Sequence, residues 1–142
     1  MKQHIRLVPL LGFVVLMLGV LGIKAADRGW FAIHPPLELN GQPALLFFTL
    51  SEGCDCQMQL VQNAEAQLAV WDLPADLGLN VIRVDFTRRP DLAKQYGVVR
   101  APALVLLDMA GQVTWKQDVG LSDATPLDLE QVQVQVEALF DN

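Results

Sequence analysis

The chain has 142 residues, 52% of them hydrophobic, with 10 Lys/Arg against 16 Asp/Glu and a formal net charge of −6. That length allows one packed core beside one extra apolar segment, but not two domains. With no basic cluster beyond Arg88-Arg89, the acidic balance argues against a nucleic-acid partner.

The extra apolar segment comes first. From Leu7 to Ile23, LVPLLGFVVLMLGVLGI, there is no charge, and Arg6 and Lys24 bound the run. As a helix it spans roughly 25 Å, at the short end of what crosses a bilayer. Residues 1–26 are therefore expected to form one N-terminal transmembrane anchor, 27–43 a stem, and 44–142 the domain proper. A cleaved signal peptide is the competing reading, with MKQHIR as its basic start. A cut after Ala25 or Ala26 puts Ile23 or Lys24 at the −3 position, where a small residue is favoured, so the uncleaved anchor is preferred. Lys2, Arg6 and the amino terminus precede the run; Lys24 and Arg28 follow it, offset by Asp27. This bias places the N-terminus inside and the domain on the exported, periplasmic or extracytoplasmic side, where disulfides persist. From Asp27 onward the charge falls to −9, seven Lys/Arg against sixteen Asp/Glu.

Pro35-Pro36 and Asn40-Gly41 break the stem. ALLFFTL, 44–50, is apolar at every other position as well as between, which predicts a central strand covered on both sides. SEGCDCQMQ, 51–59, holds both cysteines of the chain, Cys54 and Cys56. After them Leu60, Val61, Ala64, Leu68 and Trp71 recur at helical spacing, with Gln62, Glu65 and Gln67 on other faces, and DLPADLGLN closes the helix. VIRVDF, 81–86, is a second strand. RRPDLAKQYG is a short helix with Gly97 as its C-cap. ALVLLD, 103–108, and QVTWKQD, 112–118, form an antiparallel hairpin around MAG. The last segment alternates as VQVQV, yet Leu129, Val132, Val136 and Leu139 keep helical spacing. Thr125-Pro126 as N-cap and N1, followed by Asp128 and Glu130, favours helix. The order strand, helix, strand, helix, strand, strand, helix is that of an α/β domain: a central mixed β-sheet flanked by helices, with a parallel β–α–β unit and an antiparallel edge.

A dithiol between the end of the first strand and the start of the following helix, in this order of elements, resembles the thioredoxin family over roughly residues 44–140. The stretches that carry the likeness are FFTLSEGCDCQM, VIRVDF with YGVVRAPALVLLD, GQVTWKQDVG, and GLS before the last helix. YGVVRAPALVLL is the most specific, being similar to the family segment that holds a cis-proline opposite the dithiol. The resemblance implies a cis Ala101–Pro102 bond, with Pro102 shaping the substrate face and Ala101 pairing its backbone with a substrate peptide. It further implies thiol–disulfide oxidoreductase chemistry on exported protein thiols and disulfides, a redox recycling partner, and no cofactor. The direction of electron flow stays open.

Exchange needs a thiolate nucleophile and a second thiol that resolves the mixed disulfide. The partial positive charge of a helix N-terminus lowers a thiol's pKa, so Cys54, at that junction, is assigned the attack and Cys56 the resolution. Residues two apart on an ideal helix have Cα atoms about 5.4 Å apart, but their side chains diverge by roughly 200° around the axis. A Cys-Asp-Cys bridge therefore requires Cys54 to lie outside the helix, and its small ring is expected to be strained and readily reduced. The family's usual tryptophan before the first cysteine is replaced by Gly53, its buried strand acid falls at Phe48, and Asp55 opposes thiolate formation. These departures point away from efficient reductase activity.

Two alternatives stand beside exchange: a Cu(I) carrier using the Cys-x-Cys pair with Met58, and a non-catalytic thioredoxin-like interaction domain. Zinc lacks ligands, since the chain has only two cysteines and two histidines, His4 and His34, both ahead of the domain. No metal ligand set is assigned. Trp30, Trp71 and Trp115 read as packing residues, Asp85 as a solvated acid, and Arg88-Arg89 as an exposed helix entry.

Overall fold

The computed structural model describes residues 4–27, 34–72, 78–118, 120 and 122–140, and for 4–10 and 27 the backbone alone. Trp30, stem residues 28–33 and the 73–77 part of the turn after the first domain helix lie outside the described residues. The chain divides into two units, Met1–Pro35 and Pro36–Asn142.

In the first unit, α1 runs His4–Asp27 and contains the whole uncharged stretch. Among the described residues, however, no helix is long and apolar enough to cross a membrane. The expected transmembrane helix is thus not found among the described residues. Within α1, Leu11, Phe13, Leu16 and Leu21 are exposed.

In the second unit a four-stranded sheet has the order β2-β1-β3-β4, from β1 (Ala44–Thr49), β2 (Asn80–Asp85), β3 (Ala103–Leu107) and β4 (Val113–Gln117). β1 pairs parallel with β2 and antiparallel with β3, which pairs antiparallel with β4. Every apolar residue of β1 and β3 is buried because side chains alternate between two covered faces. Ala44, Leu46 and Phe48 pack with Leu92 and Ala93 of α3 (Pro90–Gln95) and with Tyr96 at its C-cap. Leu45 and Phe47 point the other way, to Ala64 of α2 (Asp55–Val70) and Val132 and Val136 of α4 (Leu129–Phe140). Trp71 and Trp115 pack against this second cluster. The sheet and its helices on both faces match the expected mixed α/β architecture.

α3 ends on Gly97 at φ +63°. The Val98 amide donates to the Ala93 carbonyl at 2.8 Å and the Gly97 amide to that of Lys94 at 3.3 Å, a Schellman closure. The start of α4 differs from expectation. The Asp128 carboxylate accepts the Gln131 amide at 3.0 Å, so Asp128, not Thr125, is the N-cap and Pro126 lies ahead of the helix. The reason is tertiary. Gln67 bonds both backbone groups of Leu127 (2.9 and 3.1 Å), while Gln117 takes the Pro126 carbonyl (3.1 Å) and the Asp128 amide (2.9 Å). Held by two side-chain amides, residues 126–128 form no helical turn.

Candidate functional site

Cys54 precedes α2 with extended backbone (φ −70°, ψ 157°), and its carbonyl accepts the first helical bond, from the Met58 amide at 3.0 Å. Cys56 is already helical. The helix boundary thus falls between the thiols, as a Cys54–Cys56 bridge would require, and the sulfurs lie 2.7 Å apart. Both thiols are free and exposed.

This arrangement separates two chemically equal groups. The hydrogen bond from Cys56 stabilises the Cys54 thiolate, the Gln57 backbone amide adds to it, and the Cys54 pKa falls below the ordinary thiol value. The same contact, with some loss of hydration and the neighbouring negative charge, pushes the Cys56 thiol up. Asp55, in the first turn of α2, does not reverse the downward direction at Cys54. The contact thus favours the thiolate at Cys54 over that at Cys56.

The Ala101–Pro102 bond is cis, as the resemblance implies. Lys116 and Arg100 hold the chain leading to it. The Lys116 Nζ donates to the Gly97 carbonyl at 2.7 Å, and the Arg100 Nε donates to the Asp118 carbonyl at 2.8 Å. Ala101 and Pro102 line a cavity of about 280 Å3 together with Leu60, Arg100, Asp123 and Pro126. Leu60 stands four residues after Cys56 on α2, so the two side chains share one helix face. Neither cysteine is among the lining residues. The structure thus joins Ala101 and Pro102 to the dithiol helix through Leu60.

Asn63, one turn further along α2, donates to the Asp123 carbonyl at 2.7 Å and fixes the opposite wall of the cavity. Sequence reasoning placed no function on Arg100 or Asp123, and it put Gln67 off the apolar stripe of its helix. The available signal was the position of Gln67 beside the Ala64–Leu68–Trp71 stripe. Among the described residues, no group of three or more His, Cys, Asp or Glu could hold a metal ion. Asp85 accepts the amides of Thr87 (2.9 Å) and Arg88 (3.2 Å), which makes it a turn residue.

No model of a known protein family matches the chain, and no curated protein matches it. Similar solved structures include a mutant thioredoxin from Halobacterium salinarum, 22% identical with a TM-score of 0.47 over 70% of this chain and 76% of that one. Trxlp from Edwardsiella tarda is 19% identical with a TM-score of 0.47, over 70% and 82%. A thioredoxin from Malassezia sympodialis is 17% identical with a TM-score of 0.46, over 70% and 76%. By its own strand order, with a dithiol opening α2 and a cis-proline opening β3, the chain has a thioredoxin-like fold.

Proposed function

We propose that the chain carries out thiol–disulfide exchange on exported protein substrates, with Cys54 as nucleophile and Cys56 as resolving thiol. The observation that carries this reading is the placement of the two exposed thiols, Cys54 just ahead of α2 and Cys56 in its first turn with sulfurs 2.7 Å apart, a contact that favours the Cys54 thiolate. A thiolate is needed to open a substrate disulfide, and a protonated neighbour waits to release the product. Ala101 and Pro102 supply the adjoining substrate surface, and a separate redox partner restores the starting state.

The same reading places the chain at a membrane through residues 7–23, with the domain on the exported side. Exposed Leu11, Phe13, Leu16 and Leu21 on a 24-residue helix support it, since so much apolar surface calls for an apolar environment. The flanking basic residues support the orientation.

Redox titration of the full chain with thiol counting, run with and without Cu(I), tests the proposal. A reversible two-electron couple that disappears in Cys54→Ser is the expected result. Tight Cu(I) binding without a reducible disulfide would replace exchange with a copper carrier, and an unreactive bridge would leave an interaction domain.

A further inference from the structure

The cavity beside the cis-proline carries two opposite charges. Arg100 lies on the wall that includes Ala101 and Pro102, while Asp123 lies in the wall formed by the segment after β4. Each is held by a contact that leaves its charge unspent. Arg100 uses its Nε on the Asp118 carbonyl. Asp123 uses its backbone carbonyl on Asn63. Asp118, whose carbonyl Arg100 holds, gives its carboxylate to Lys116 at 3.1 Å. Among the described residues, neither Arg100 nor Asp123 forms a salt bridge, with the other or with any other residue.

A cavity of about 280 Å3 sits at the small end of ligand sites, which begin near 300 Å3. It suits a small molecule carrying both a carboxylate and an ammonium group. Leu60 supplies an apolar patch between those charges and the helix face of Cys56, whose Cα lies roughly 6 Å away along the axis. A molecule bound by its charged head can therefore extend a sulfur toward the dithiol.

We infer that this cavity binds the zwitterionic head of a small amino-acid disulfide, with Arg100 taking the carboxylate and Asp123 the ammonium, and that this disulfide oxidises the Cys54–Cys56 pair. The inference rests on the exchange reading and names a substrate class for it. The Cys54 thiolate attacks one sulfur of the small disulfide; that S–S bond breaks, a Cys54 mixed disulfide forms, and one amino-acid thiolate leaves. Cys56 then gives up its proton and attacks the Cys54 sulfur, which forms the Cys54–Cys56 bond and releases the second amino-acid thiolate. The two departing thiolates take up protons, one from Cys56 and one from solvent. Two electrons pass from the protein dithiol to the small disulfide.

Four disulfides of similar size dissect the recognition: cystine with both charges, cystamine with ammonium groups only, dithiodipropionate with carboxylates only, and uncharged hydroxyethyl disulfide. The reduced full chain is mixed with each, and oxidation is followed by loss of free thiol. Cystine is expected to react fastest, with about a fivefold advantage for each charge matched, the scale of an exposed ion pair. Arg100→Gln is expected to lower the ratio of the cystine rate to the hydroxyethyl disulfide rate by about fivefold, Arg100→Lys to retain most of it, and Asp123→Asn to abolish the advantage of cystine over dithiodipropionate. Equal rates with cystine and hydroxyethyl disulfide would overturn the inference and leave exchange standing. Unchanged ratios in Arg100→Gln and Asp123→Asn, with each variant still folded by circular dichroism, would overturn it as well. No reaction with any of the four would overturn both readings.

Discussion

Replacing Gln67 by Leu removes one half of the clamp that shapes the cavity wall. The native amide donates to the Leu127 carbonyl at 3.1 Å and accepts the Leu127 amide at 2.9 Å. Leu127 is 3% exposed, so water does not replace these partners without local opening. A net contribution of about 0.5–1.5 kcal/mol per bond gives roughly 1–3 kcal/mol for the pair, and a stranded donor and acceptor push the cost upward. Partial release of the segment toward solvent limits the rise. We expect a loss of about 2 kcal/mol, read as a fall of about 1 M in the urea midpoint for an m-value near 2 kcal/mol/M. Gln62→Leu, at an exposed position of the same helix, serves as the reference and is expected to stay within about 0.5 kcal/mol. A Gln67→Leu variant as stable as that reference would refute the clamp as an energetic feature.

The dithiol and the end of α3 give two further predictions. With rising pH, iodoacetamide is expected to label Cys54 before Cys56 and below the range of an ordinary thiol, because the Cys56 hydrogen bond and the Gln57 amide favour the Cys54 thiolate. Its reactive form is present above the lowered pKa and lost as pH falls through it; Cys56→Ala should move the Cys54 profile upward, and earlier labelling of Cys56 would contradict the assignment of roles. Gly97→Ala should cost about 1 kcal/mol in chemical denaturation, since φ is +63° there and L residues resist that region. The nearest atom to an added Cβ is the flexible Lys116 Nζ at 3.7 Å, so an unchanged midpoint would remove the conformational argument.

The sheet was legible because burial on two sides leaves a continuous apolar record. ALLFFTL and ALVLLD have no polar face to misplace, and β1 and β3 occupy the centre accordingly. The break between Cys54 and Cys56 followed from helix geometry once the two sulfurs are required to meet. The start of α4 did not. Thr125-Pro126 satisfies every local preference for a helix start, but partners 60 and 9 residues away, Gln67 and Gln117, hold the following segment out of the helix. Arg100 and Asp123 were invisible for the same reason: 23 positions apart, they meet across a cavity that only the folded sheet creates.

The two clusters flanking β1 and β3 make the central strands a partition. Ala64 of the dithiol helix shares one compartment with Val132 and Val136 of α4, whereas Leu92 and Ala93 of α3 belong to the other. Loosening on the α4 side is therefore transmitted to the helix that presents the thiols, while a defect around α3 must first cross two closely packed strands. The C-terminal helix, remote in sequence from Cys54 and Cys56, is in this sense the mechanical backing of the reactive end.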